Sequence, residues 1–64
     1  MHRDHMVHLV TPKELSESSG IPVRTLAQWR YLDTGPAYIK LGGHVRYHPD
    51  DIEAWQTANR RATS

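Results

Sequence analysis

Apolar residues fall in short, separated groups whose spacing changes along the chain. Leu9-Val10 form a pair, Leu15 stands almost alone among Lys, Glu and Ser, and Leu26 and Trp29 are three apart. Further on, Ile39 and Leu41 flank Lys40, Val45 and Tyr47 flank Arg46, and Ile52 and Trp55 are again three apart. Spacings of three or four mark one face of a helix, whereas alternation marks a strand. The pattern therefore predicts helix, turn, helix, hairpin, helix, a mainly α chain with one small β-hairpin.

Punctuation agrees with this order. Thr11-Pro12-Lys13-Glu14 combines a capping hydroxyl, a proline suited to the first helical position and a glutamate that completes a capping box. The first helix ends at Ser18-Ser19-Gly20, with Leu15 its main buried residue. A second helix is expected from about Pro22 to Leu32, stopped by Asp33-Thr34-Gly35-Pro36. Two short helices joined by a tight Gly-containing turn make a helix-turn-helix unit. Pro49-Asp50-Asp51 opens a last helix, its acids suited to the positive end of the helix dipole.

For the hairpin, sorting of side chains favours one register. A two-residue Gly42-Gly43 loop would pair Leu41 with His44 and Ile39 with Arg46, mixing apolar and charged groups on one face. A three-residue loop, Gly42 to His44, pairs Leu41 with Val45 and Ile39 with Tyr47. The expectation is the sorted register, with Ile39, Leu41, Val45 and Tyr47 inward and Lys40 and Arg46 outward.

Positions not needed for a core carry the candidate chemistry. Arg24, Gln28 and Tyr31, spaced four and three, lie opposite Leu26 and Trp29. Arginine offers a bidentate fork and glutamine an amide that both donates and accepts, the groups that base edges in the major groove engage. Alone, such a stripe reads equally well as a solvated helix face. A Gly-tipped hairpin with Lys40 and Arg46 outward changes the balance, because it makes a wing beside the helix-turn-helix. Wing cations can reach phosphates or a narrow minor groove. The candidate DNA contacts are Val23, Arg24, Thr25, Gln28, Arg30 and Tyr31 on the second helix, and Lys40, His44 and Arg46 on the wing.

Composition bounds the remaining possibilities. At 64 residues without cysteine the chain is one small domain with a marginal core, and no disulfide or thiolate zinc site supports it. Net charge is only +1, but the acids gather at Glu14/Glu17 and Asp50/Asp51/Glu53, away from Arg24, Arg30, Lys40 and Arg46. Residues 1–8 read as a polar arm, 9–58 as the domain and 59–64 as a basic tail. His2, Asp4, His5 and His8 are of metal-ligating types, but no folded element is evident to hold them, and they are read as solvated. Trp29 and Trp55 are read as core rather than base-stacking platforms, given their spacing with Leu26 and Ile52. No nucleophile or sizeable pocket is evident, so neither an enzyme nor a cofactor is expected. Apolar runs are too short for a membrane span, and a cytoplasmic setting is expected.

Four stretches together resemble a known family. Thr11-Pro12-x-Glu14-Leu15, Gly20-Ile21-Pro22-Val23-Arg24-Thr25-Leu26-x-x-Trp29, Leu41-Gly42-Gly43-His44-Val45-Arg46-Tyr47 and Asp51-Ile52-x-Ala54-Trp55 are similar to the winged helix-turn-helix of phage excisionases. The pattern also occurs in small prophage regulators and in the DNA-binding lobe of MerR-type activators, and it covers about Leu9 to Trp55. Two departures stand out: family members commonly have Ser or Thr where Pro22 stands, and Arg where His44 stands. The resemblance implies an accessory protein of site-specific recombination in a bacterial host, one that binds and bends double-stranded DNA at repeated sites. Its partners would be a tyrosine integrase and neighbouring copies of itself. A chain ending soon after its last helix is expected to lack the dimerisation helix of MerR activators, which favours the excisionase reading. A small phage or prophage transcriptional regulator is the alternative.

Overall fold

A computed structural model describes residues 7–61. Its order is α1 (Pro12–Ser19), α2 (Val23–Tyr31), β1 (Ile39–Leu41), β2 (His44–Arg46) and α3 (Pro49–Ala58). This is a winged helix-turn-helix, with the hairpin as its wing. His2, Asp4 and His5 fall outside the described residues, as does the end of the basic tail.

The start of α1 is closed by its own side chains. The Thr11 hydroxyl accepts from the Glu14 amide at 3.0 Å, and the Glu14 carboxylate accepts from the Thr11 amide at 2.9 Å. Pro12 occupies the first turn, and Gly20 ends the helix in the left-handed region. The two Thr11–Glu14 bonds satisfy amides that a helix start would otherwise leave to solvent, and the Gly20 amide closes the far end by donating to the Ser16 carbonyl.

Three side chains form the buried centre: Leu15 of α1, Leu26 of α2 and Tyr47, which follows β2. Val10, Ile21, Trp29, Val45 and Ile52 pack around them, so the three helices, β2 and the segment before α1 contribute to one small core. Val10 and Tyr47 form an antiparallel bridge with two backbone hydrogen bonds of 2.8 Å. The apolar pair before α1 thus acts as a third, one-residue edge to the hairpin. Trp29 and Trp55 meet at 5.8 Å between centroids with a 53° tilt, joining α2 to α3.

The hairpin departs from the sorted register. Ile39 pairs with Arg46, Lys40 with Val45 and Leu41 with His44, across the two-residue Gly42-Gly43 loop. Both loop residues have positive φ, 55° and 87°, as a primed turn requires. That turn matches the natural twist of the strands, and two consecutive glycines adopt it without steric penalty. Backbone geometry at the loop therefore outweighs side-chain sorting in strands of three residues. In consequence Leu41 is not inward but 48% exposed. Directly paired residues share a face, so Lys40 lies on the face of Val45, whereas Arg46 lies on the opposite face with Ile39, Leu41 and His44.

Candidate nucleic-acid interface

The second helix presents the outward stripe that its sequence implies. Leu26 is buried and Trp29 half-buried on the inner side, while Arg24, Gln28 and Tyr31 are exposed on the other. Among the described residues Tyr31 is the most open of the large apolar side chains, at 87% exposure. Val23 is exposed beside Arg24, and Thr25 is half-buried. Arg24 makes no ion pair with a carboxylate among the described residues.

The two ends of α2 differ from those of α1. Pro22 occupies the cap position and supplies no side-chain hydrogen bond; its carbonyl instead accepts from the Thr25 amide at 3.0 Å, so α2 opens without the side-chain cap that Thr11 gives α1. The other end is tied off by Asp33 at φ 59°. The Asp33 amide donates to the Arg30 carbonyl at 3.2 Å and the Thr34 amide to the Trp29 carbonyl at 2.8 Å. This is the two-bond Schellman closure, here with aspartate where glycine is usual. Gly35 then passes so close to Trp29 that an added Cβ would lie 2.8 Å from the indole Cε3. The turn into the wing is thereby pressed against the core.

On the wing, Lys40 and His44 are exposed and Arg46 is half-buried. Arg46 Nη1 donates to its neighbour's carbonyl, Val45 O, at 2.7 Å, which leaves most of the guanidinium donors unused by that contact. Lys40 and Arg46 leave from opposite faces, so the wing carries a cation on each side rather than a single cationic face.

Arg30 is placed differently from the other expected contacts. Its Nη1 donates to the Tyr47 hydroxyl at 2.6 Å, and its guanidinium lies 5.8 Å from the Tyr38 ring centroid and 5.9 Å from that of Tyr47. The signal was in the spacing: Arg30 is four residues after Leu26 and shares its flank of the helix. A cation on that flank faces the interior. Tyr38 and Tyr47 were not expected to take part in positioning the interface, and only the three-dimensional contact with Arg30 identifies them.

Glu14 has a pKa below the ordinary glutamate value. The largest cause is the hydrogen bond from the Thr11 amide, followed by the His8 ring, whose Nε2 lies 3.3 Å from Oε1. Glu14 and Glu17 are both exposed on this helix, but Glu14 is already engaged in the capping box. At the other end of the chain His48 caps α3, its Nδ1 accepting from the Asp50 amide at 3.0 Å. Among the described residues there is no group of three or more side chains able to hold a metal ion. No helix of the structure is long and apolar enough to cross a membrane.

Against known families, a model described as a helix-turn-helix domain matches residues 9–60. No curated protein and no solved structure matches the chain.

Proposed function

Given that the chain belongs to the helix-turn-helix domain family and binds double-stranded DNA, we propose that it reads sequence with α2 and serves as an excisionase in site-specific recombination. The observation that carries the reading is the exposed Arg24, Gln28 and Tyr31 stripe on the helix that the family uses for recognition. In this proposal Arg24 and Gln28 contact base edges in the major groove. Val23, Thr25 and Tyr31 flank them, and Lys40, His44 and Arg46 reach phosphates or the adjacent minor groove.

A domain of this size makes a brief footprint, so specificity is gained by several copies on repeated sites. Arg60 and Arg61 are exposed after α3, and Glu14 and Glu17 are exposed acids on α1, Glu14 already bonded within its capping box. A contact between these charges on adjacent copies is head-to-tail and need not close, so it propagates along DNA. A bent array of this kind would favour excision by a tyrosine integrase.

The direct experiment is in vitro excision with integrase on an attachment-site substrate, with and without this protein, alongside circular permutation of the bound duplex. Stimulated excision and a bent duplex support the role. Specific binding with no bend and no effect on excision would make a prophage transcriptional regulator the better reading.

A further inference from the structure

Arg30 occupies a junction that the DNA-reading role does not by itself require. The two tyrosines around its guanidinium are the residues immediately before β1 and immediately after β2. One side chain from the last turn of α2 therefore bears on both legs of the wing where they leave the body of the domain. Tyr47 is anchored from its other side as well. Its backbone is bridged to Val10, and its side chain is wholly buried. The hydrogen bond from Arg30 reaches this fixed hydroxyl at 2.6 Å. A guanidinium is a rigid plane with donors in set directions, so it holds orientation as well as distance.

Resting on the reading of α2 and the wing as two DNA contacts, we infer that Arg30 is a positioning residue: through Tyr47 and Tyr38 it sets the direction of the wing relative to α2. Its own contact with DNA is not what it contributes. Once α2 is seated in a groove, a wing held at the right angle meets its phosphates at high effective concentration. A wing free to swing does so at a cost in ordering. Affinity for the duplex then depends on a hydrogen bond remote from it.

Tyr47→Phe tests this cleanly, because it deletes one oxygen from a side chain too buried to touch DNA. Arg30→Lys is the companion variant, keeping the charge and losing the fork. Both are titrated against a duplex obtained by selection with the native protein, over a range of salt, with near-ultraviolet circular dichroism as the check on folding. Each variant should lose about tenfold in affinity, the scale of one hydrogen bond to a charged group. Each should also shallow the log–log salt dependence by about 0.9 for every wing phosphate lost. In a Lys40→Ala/His44→Ala/Arg46→Ala background, where the wing no longer binds, neither substitution should have any further effect.

Full affinity for Tyr47→Phe would overturn the inference. So would native binding by Arg30→Lys, or a loss that persists undiminished in the wing-deficient background. Should Tyr47→Phe lose the native spectrum, the Arg30→Lys series decides by the same criteria. Failure of the native protein to bind any duplex would instead sink the DNA reading itself, a result distinct from native binding with an indifferent Tyr47→Phe.

Discussion

The two helices of the helix-turn-helix are nearly equal in length, and each buries one leucine, yet their ends are built on different plans. Helix α1 is closed on itself at the start by the reciprocal Thr11 and Glu14 bonds and at the end by Gly20. Helix α2 begins at an uncapped Pro22 and ends on an aspartate held in the left-handed region. Inside, each contributes one buried leucine to the core, and α2 adds Trp29. At its start, α1 is capped by side chains, whereas α2 is closed only by the Pro22 carbonyl, which accepts from the Thr25 amide at 3.0 Å, and carries an exposed polar stripe. The contrast fits the proposed division of roles, with α1 as support and α2 as contact.

The largest effects should come from the part the helices share. Leu15→Ala and Leu26→Ala should each destabilise the fold by about 2–5 kcal/mol, comparable with the whole stability of a domain this small. Urea unfolding would measure both. If Leu15→Ala proved nearly neutral, α1 would not be supporting α2, and the division of roles would lose its basis.

The ends should respond in opposite directions. Thr11→Ala removes half of the capping box and should cost about 1 kcal/mol. Asp33→Gly relieves a backbone conformation that disfavours side chains and should gain about 0.5 kcal/mol. Melting temperatures of the two variants against the native chain would sharpen the contrast. A stabilising Thr11→Ala or a destabilising Asp33→Gly would reverse it.

A smaller effect concerns acid. Glu14 has its folded pKa lowered from 4.5 by the Thr11 amide first and His8 second. A lowered carboxylate pKa means that the ionised form is favoured on folding, so its contribution is fully present above the unfolded value. That contribution fades below pH 4.5, as the pH falls through the folded value. Glu14→Gln should therefore flatten this part of the stability profile while leaving specific DNA binding unchanged. A native profile identical to that of Glu14→Gln would contradict the account.

Legibility in the sequence followed the range of the forces involved. The capping box at Thr11 and Glu14 and the stop at Gly20 are local side-chain and backbone chemistry, and both lie where residue spacing placed them. The outward stripe on α2 was legible for the same reason. The wing register was not, because sorting of Ile39 and Leu41 competed with the demand of Gly42-Gly43 for a two-residue primed turn. In strands of three residues the turn prevails. Charge alone makes Arg30 a candidate DNA contact, whereas its spacing from Leu26 marks the flank on which it meets Tyr47. Its partner Tyr47 is held by Val10 from far along the chain, a pairing that no local pattern announces.

The central claim is that sequence is read by the outer face of α2. Its most direct test is equilibrium binding of the native protein, Arg24→Ala and Gln28→Ala to a selected duplex and to a scrambled one. Each variant should lose about 1–3 kcal/mol on the selected duplex and much less on the scrambled one, with the fold unchanged. Equal losses on both duplexes would mean that these side chains touch only phosphate, and α2 would not be the reading element.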